Sequence, residues 1–172
     1  MRSTGCVTPL EYPGVKLPAD VIENLLESWP VACLVTQGAG GGVPVPIVFA
    51  RAKGRLWSPV DGKPKSGAPG AQLARLRNVR RDSRVALLLD RYEQDWRQLW
   101  WLRVEGTARI ADAGDASFEA AGTALRAKYP QYVRTPLYRG TPTLLCITAG
   151  RLRSWCAGAE AVELARRGDA RR

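Results

Sequence analysis

One stretch constrains this chain more than any other. Between Trp100 and Ile110, the residues Trp100, Leu102, Val104, Gly106, Ala108 and Ile110 alternate with Trp101, Arg103, Glu105, Thr107 and Arg109. Side chains on a strand point to opposite faces with period two, so this pattern predicts a long strand with one apolar and one polar face. Trp101 is the exception on the polar face. Shorter apolar, β-branched runs stand at Val31–Thr36, Val43–Ala50, Arg55–Val60, Val85–Asp90 and Leu144–Thr148. The Gly38–Gly42 tract and Ala52-Lys53-Gly54 read as tight turns, which join antiparallel strands rather than parallel ones. A sheet with one apolar face must bury it. The expected fold is therefore mainly β with minor α, a small closed or split antiparallel barrel.

Local signals fill in the rest. Pro44 and Pro46 lack a ladder donor, which places the first half of the Val43–Ala50 run at an edge or bulge. A helix is expected after Asp20, with Glu23 completing a capping box, Val21, Ile22, Leu25, Leu26 and Trp29 on one face, and Pro30 as its stop. Leu73, Leu76 and Val79 predict a short basic helix over about 71–81. Asp112 or Asp115 is positioned to start a further helix through Phe118, Ala121, Leu125 and Tyr129, ended by Pro130. Residues 1–17 read as an arm, 18–156 as the domain, and 157–172 as a tail forming a loose helix. A chain of 172 residues suits a single domain of this kind.

Composition removes several chemistries. The chain has no histidine, which excludes Ser-His, Cys-His and His-metal schemes. Its four cysteines, at 6, 33, 146 and 156, form no Cys-x-x-Cys pair, so neither a zinc site nor a disulfide framework is expected. Cys33 and Cys146 read as small core residues. No apolar run approaches the roughly 20 residues of a membrane-spanning helix, and the N-terminus lacks the apolar core of a secretion signal. No membrane association is expected, and the expected compartment is the cytoplasm.

Charge then points to a partner class. Lys and Arg number 26 against 16 Asp and Glu, a net charge of +10. Between Arg51 and Arg109 there are fourteen basic and six acidic residues, so the middle third carries most of the excess. Such a chain attracts anions. Within this region the strand end at Ser58 runs into Pro59-Val60-Asp61-Gly62-Lys63-Pro64-Lys65, and a basic helix carrying Arg75 follows. Backbone amides, two lysines and a helix together form a candidate anion site of Ser58, Lys63, Lys65 and Arg75. The spacing is not that of a P-loop. Trp57 and Trp101 are candidate aromatics for stacking on a planar ligand, for an oligomer interface, or for filling the barrel. No nucleophile–base pair, carboxylate pair or metal cluster stands out. An enzyme of this composition would take its chemistry from a bound cofactor.

The series Pro44-Val45-Pro46-Ile47-Val48-Phe49, Leu56-Trp57-Ser58-Pro59-Val60-Asp61-Gly62-Lys63-Pro64-Lys65, Leu73-Ala74-Arg75-Leu76-Arg77-Asn78-Val79 and Ser83–Asp90 resembles the pyridoxamine 5'-phosphate oxidase-like family. The continuation Arg91-Tyr92-Glu93-Gln94-Asp95-Trp96 through Leu99-Trp100-Trp101-Leu102-Arg103-Val104-Glu105-Gly106 resembles its branch assigned to coenzyme F420. The resemblance spans about residues 20–156. It implies a six-stranded split β-barrel of the FMN-binding type, which dimerises and holds FMN or the deazaflavin F420 in a groove between two subunits. Ser58 matches the family's phosphate-binding Ser/Thr, Arg75 falls where its helix Lys stands, and Pro46, in the matching series Pro44–Phe49, is a further expected cofactor-binding residue. Trp101 stands in place of a flavin-contacting Gln. The family's substrate-binding His has no counterpart, which argues against pyridoxamine phosphate as the substrate.

Three functions follow from this reading. The first is a homodimeric oxidoreductase that binds F420 and transfers hydride to or from a small organic substrate. The second is an FMN-binding oxidase or flavin-reductase-like protein. The third is a basic β-barrel that stacks nucleic-acid bases on Trp57, Trp96 and Trp101, and it ranks well below the other two.

Overall fold

The computed structural model describes residues 14–61, 73–138 and 140–168. Along the chain run α1 (Ala19–Ser28), β1 (Ala32–Gly38), β2 (Gly41–Ile47), β3 (Ala50–Ala52), β4 (Arg55–Pro59), α2 (Ala74–Arg81), β5 (Arg84–Arg91), β6 (Trp100–Ala111), α3 (Phe118–Lys128), β7 (Leu144–Cys156) and α4 (Ala159–Arg167). Single turns of 3-10 helix lie at Trp96–Gln98 and Pro130–Val133. The strands form one seven-stranded sheet in the order β2-β1-β5-β6-β7-β4-β3, and every pairing is antiparallel.

The expected six strands become seven because the run Val43–Ala50 is divided. Its first part pairs with β1, through Ile47 opposite Ala32, and its last residue starts β3, which pairs with β4. Only Val48 and Phe49 lie between. Yet β2 and β3 form opposite edges of the sheet. Three peptide units reach at most about 11 Å, so the sheet has to curl until its edges nearly meet. No ladder joins β2 to β3 among the described residues, and the barrel is left split there. The prolines behave as their chemistry requires, since β2 is an edge strand exposed along most of its length.

β6 carries the alternation expected of it. Trp100, Leu102, Val104 and Ala108 are buried inside the curl. Between Glu105 and Gly106 the register with β7 shifts, because β7 carries the extra residue Gly150. A Cβ on Gly106 would lie 2.1 Å from the Thr148 carbonyl oxygen, so only glycine allows the two backbones to cross this closely.

Two cores result. The first fills the barrel with Leu34, Phe49, Leu56, Leu87, Leu102 and Ile147 and is capped by Leu25 of α1 and Ala161 of α4. The second packs α3, through Phe118, Ala121 and Leu125, onto the outer side of the sheet at Trp57, Leu144 and Cys146. Most of β4 and the first residues of β7 are therefore buried on both faces.

Three local expectations need correction. The helix over 159–167 is packed rather than loose, with Ala161 and Ala165 in the first core and Asn24 of α1 donating to the Arg166 carbonyl at 2.7 Å. The Asp20–Glu23 capping box does not form: Pro18 precedes the first turn of α1, Glu23 pairs with Arg51, and Asp20 faces Arg166 at 3.4 Å. Cys33 is only half-buried, because the inward positions of β1 fall to Ala32, Leu34 and Thr36. No helix among the described residues is long and apolar enough to cross a membrane.

Candidate functional site

The strand ends that flank the split meet the start of α2. Pro46, Ile47 and Val48 from one side, Ser58, Pro59 and Asp61 from the other, and Arg75 above them wall a cavity of about 90 Å³. It has room for a small polyatomic anion but not for a fused ring system. Three residues singled out from the sequence, Pro46, Ser58 and Arg75, are thus brought together. α2 reaches this point because Leu76 and Val79 are buried in the first core, which turns the first helical turn and Arg75 toward the end of β4.

Arg75 is held in an unusual setting. One terminal nitrogen donates to the Pro59 carbonyl at 3.3 Å, while its Nε is buried without a hydrogen-bond partner among the described residues. Burial pulls the guanidinium below its ordinary pKa, and the Asp61 carboxylate opposes that shift. Asp61 itself is buried and accepts a hydrogen bond of 2.9 Å from the Tyr132 hydroxyl. Tyr132 is raised well above its ordinary value, by burial first and by that hydrogen bond second. A buried donor without a partner costs about 1–3 kcal/mol, so the Arg75 Nε is a position where an anionic oxygen would be stabilised.

The other expected site residues are distributed differently. Trp57 is fully buried in the second core, and its indole nitrogen donates to the Ala52 carbonyl at 2.9 Å. It is a core residue with no face open to a ligand, because α3 covers the outer side of β4. Lys63 and Lys65 lie outside the described residues. Trp101 is half-buried on the outer face of β6, where the Arg103 guanidinium carbon lies 5.9 Å from its ring centre. It divides two surface grooves, one of about 340 Å³ with Leu88, Asp90 and Tyr92, the other of about 350 Å³ with Ile22, Arg151 and Leu152.

Trp101 and Ser58 do not share a site within one chain. Trp101 pairs with Trp155 and Ser58 with Leu145, both on β7. At about 3.3 Å per residue, those partners stand about 30 Å apart along the strand. Among the described residues, the second half of β7 has no strand on its β4 side beyond Ile147, only the bridge of Val15 to Cys156, and Leu152 remains 40% exposed.

Two members of the cavity network were not singled out from sequence. Asp61 reads there as a loop residue, and Tyr132 follows a helix-ending proline like many turn aromatics. Their contact spans 71 positions, and no local pattern encodes it. Among the described residues, no cluster of Cys, Asp and Glu could hold a metal ion.

The pyridoxamine 5'-phosphate oxidase sequence profile matches residues 19–156. The chain belongs to that family. Its split barrel is shared with solved structures at low identity. A FAD-binding protein from Mesorhizobium loti is 15% identical with a TM-score of 0.61, covering 83% of this chain and 95% of that one. A conserved hypothetical protein from Mycobacterium tuberculosis is 22% identical with a TM-score of 0.61, covering 83% and 91%. The heme storage protein HutZ from Vibrio cholerae is 12% identical with a TM-score of 0.62, covering 82% and 96%. Among curated proteins, none matches the chain. For this member of the pyridoxamine 5'-phosphate oxidase family, the relatives establish the fold, and the residues at the cavity have to carry any statement about ligands.

Proposed function

We propose that this protein is a cytoplasmic oxidoreductase that binds a flavin-type cofactor, F420 in the first place and FMN as the alternative, in a groove completed by a second copy of the chain. The observation that carries the reading is the cavity at Ser58 and Arg75, where a guanidinium nitrogen is buried without a partner among the described residues, beside a hydroxyl-bearing strand end. That donor set fits the phosphate of such a cofactor. Its ring system would then extend out of the cavity, which is too small for it. When bound, the deazaflavin or flavin ring supplies hydride transfer.

The chain's own residues would bind and orient. Ser58 and Arg75 hold the phosphate end, and Pro46, which has no amide hydrogen, presents an apolar wall. The net charge of +10 favours an anionic cofactor. Trp101, far from Ser58 in its own chain, reaches a cofactor held there only from a second copy. The half of β7 beyond Ile147, which no strand flanks on its β4 side among the described residues and where Leu152 is exposed, offers a surface for that copy. The substrate is a small organic molecule that meets the ring in the same groove.

FMN is the second reading, favoured by the likeness to a FAD-binding protein. The likeness to a heme storage protein suggests no third, because a chain without histidine lacks the commonest axial ligand. Titration of the apo-protein with F420 and FMN in parallel, followed by absorbance and tryptophan fluorescence, tests the reading. Saturable binding of either supports it, and tighter binding of F420 supports its first form. Binding of neither, together with salt-sensitive binding of oligonucleotides, would move the protein to a different class.

A further inference from the structure

The groove on the β5 side of Trp101 is set by strand register. Leu88 and Asp90 of β5 stand directly opposite Arg103 and Trp101 of β6. Their neighbours Leu87, Leu89 and Leu102 are buried in the barrel, so the two-residue period puts these four on the outer face. Together with Tyr92 they line a space of about 340 Å³. That volume is in the range of small-molecule sites and has room for a fused ring, which the cavity at Arg75 lacks. Two aromatics and a leucine supply the apolar walls. The polar groups are one acceptor and one donor. Asp90 is half-buried and has no hydrogen bond or ion pair among the described residues. Arg103, its diagonal neighbour, turns instead to Glu105 at 3.0 Å, and its Nε has no acceptor among the described residues.

We infer that this groove reads the imide edge of the cofactor ring, with Asp90 accepting from the ring N–H and Arg103 donating to the carbonyl beside it. The inference rests on the proposal that a flavin-type cofactor held at Ser58 and Arg75 of one copy meets Trp101 of the second. Flavin and deazaflavin rings share this edge, an N–H between two carbonyls. A free acceptor next to a free donor is its complement, and a hydrogen bond to an ionised carboxylate is about twice as strong as a neutral one. Trp101 and Tyr92 offer π-faces to the planar ring. The Asp90 carboxylate repels the anionic end of the same cofactor, so the ring edge enters this groove while the phosphate keeps to Arg75. Asp90 is then the residue that selects a ring carrying the N–H over one that lacks it.

Methylation of the imide nitrogen replaces the N–H and leaves the charge of the cofactor unchanged. FMN and F420, each paired with its N-methylated imide derivative, therefore isolate the contact, with dissociation constants read from tryptophan and cofactor fluorescence. In the unaltered protein, methylation is expected to weaken binding at least about tenfold, as loss of a hydrogen bond to a charged group requires. Asp90→Ala is expected to weaken the parent cofactor by about the same factor and to leave the methylated one within about threefold, so that the preference collapses. Asp90→Asn keeps an acceptor oxygen without the charge and is expected to fall between. It also serves if Asp90→Ala fails to fold. Equal binding of parent and methylated cofactor to the unaltered protein overturns the inference and leaves the cofactor reading intact. So does a preference that survives both substitutions in full, which would trace it to shape alone. Binding of neither FMN nor F420 overturns both.

Discussion

The Tyr129 hydroxyl lies 3.0 Å from the amide nitrogen of Phe49 and 2.6 Å from its carbonyl oxygen. Phe49 is the residue at which the chain leaves one edge of the sheet for the other, so its backbone has no ladder partner at the split. One side chain from the end of α3 supplies both. Burial pushes the Tyr129 hydroxyl up to about 12, so it keeps the proton it donates.

Tyr129→Phe should therefore weaken the barrel where it is split. The Phe49 amide would be left buried without an acceptor, at a cost of about 1–3 kcal/mol. At about 2–4 °C per kcal/mol for a chain of this size, the midpoint of thermal unfolding should fall by several degrees. Circular dichroism should show unchanged secondary structure at 20 °C. An unchanged midpoint would mean that water takes over the role of the hydroxyl.

Arg75 and Asp61 should prove coupled. Arg75→Gln leaves a buried carboxylate facing a neutral side chain, which should cost on the order of 2–4 kcal/mol. Asp61→Asn in the same chain should recover at least half of that loss, because two neutral amides replace two opposed charges. The double-mutant cycle on unfolding free energies reads the coupling directly. Independent, additive effects would show that the two charges do not sense each other.

The residues just discussed also mark what the sequence could and could not disclose. The alternation along β6, the prolines of β2 and the Ser58–Arg75 neighbourhood are local features, each legible within a dozen residues or from a strand end followed by a helix. The split at Phe49 is not local. Val43–Ala50 reads as one apolar run, and what breaks it is a hydroxyl 80 positions later in the chain. The same is true of Asp61, whose partner Tyr132 arrives only through the packing of α3. Trp57 misled for a related reason: strand periodicity shows which residues share a face but not that α3 will cover the outer one.

Trp101 and Arg75 should act on one cofactor from two different chains. Trp101→Ala and Arg75→Gln are each expected to lower affinity at least tenfold, or about 1.4 kcal/mol. Mixed and allowed to exchange subunits, the two inactive proteins should recover tight binding at about a quarter of the sites, since each mixed dimer restores one intact groove. Stoichiometric titration counts those sites. Recovery of none would place Trp101 outside the groove that Arg75 serves. Elution of the unaltered protein as a monomer at micromolar concentration, checked by light scattering, would remove the premise.

Lys128 gives a dependence on pH whose sign can be worked out. Its Nζ lies 4.1 Å from the centre of the Phe49 ring, and among the described residues it has no hydrogen-bond acceptor. Burial pulls the amine down to about 8, with Glu27 opposing. In the unfolded chain the group titrates near 10.4. Below pH 8 both states carry the charge, and the folded state bears the full cost of burying it. Between pH 8 and about 10.4 the unfolded state binds more protons, so this residue's contribution makes stability rise with pH. Lys128→Met, which keeps the length and removes the charge, should raise the unfolding midpoint at pH 7 by roughly 2–5 °C. The gap between the two proteins should narrow through that window and nearly close by pH 10.5. Tyrosine ionisation destabilises both proteins alike above pH 10, so it cancels in the difference. A gap that stays constant from pH 7 to 10.5 would trace the gain to packing rather than charge. A Met variant less stable at pH 7 would show that the ammonium gains more from the face of Phe49 than it loses to burial.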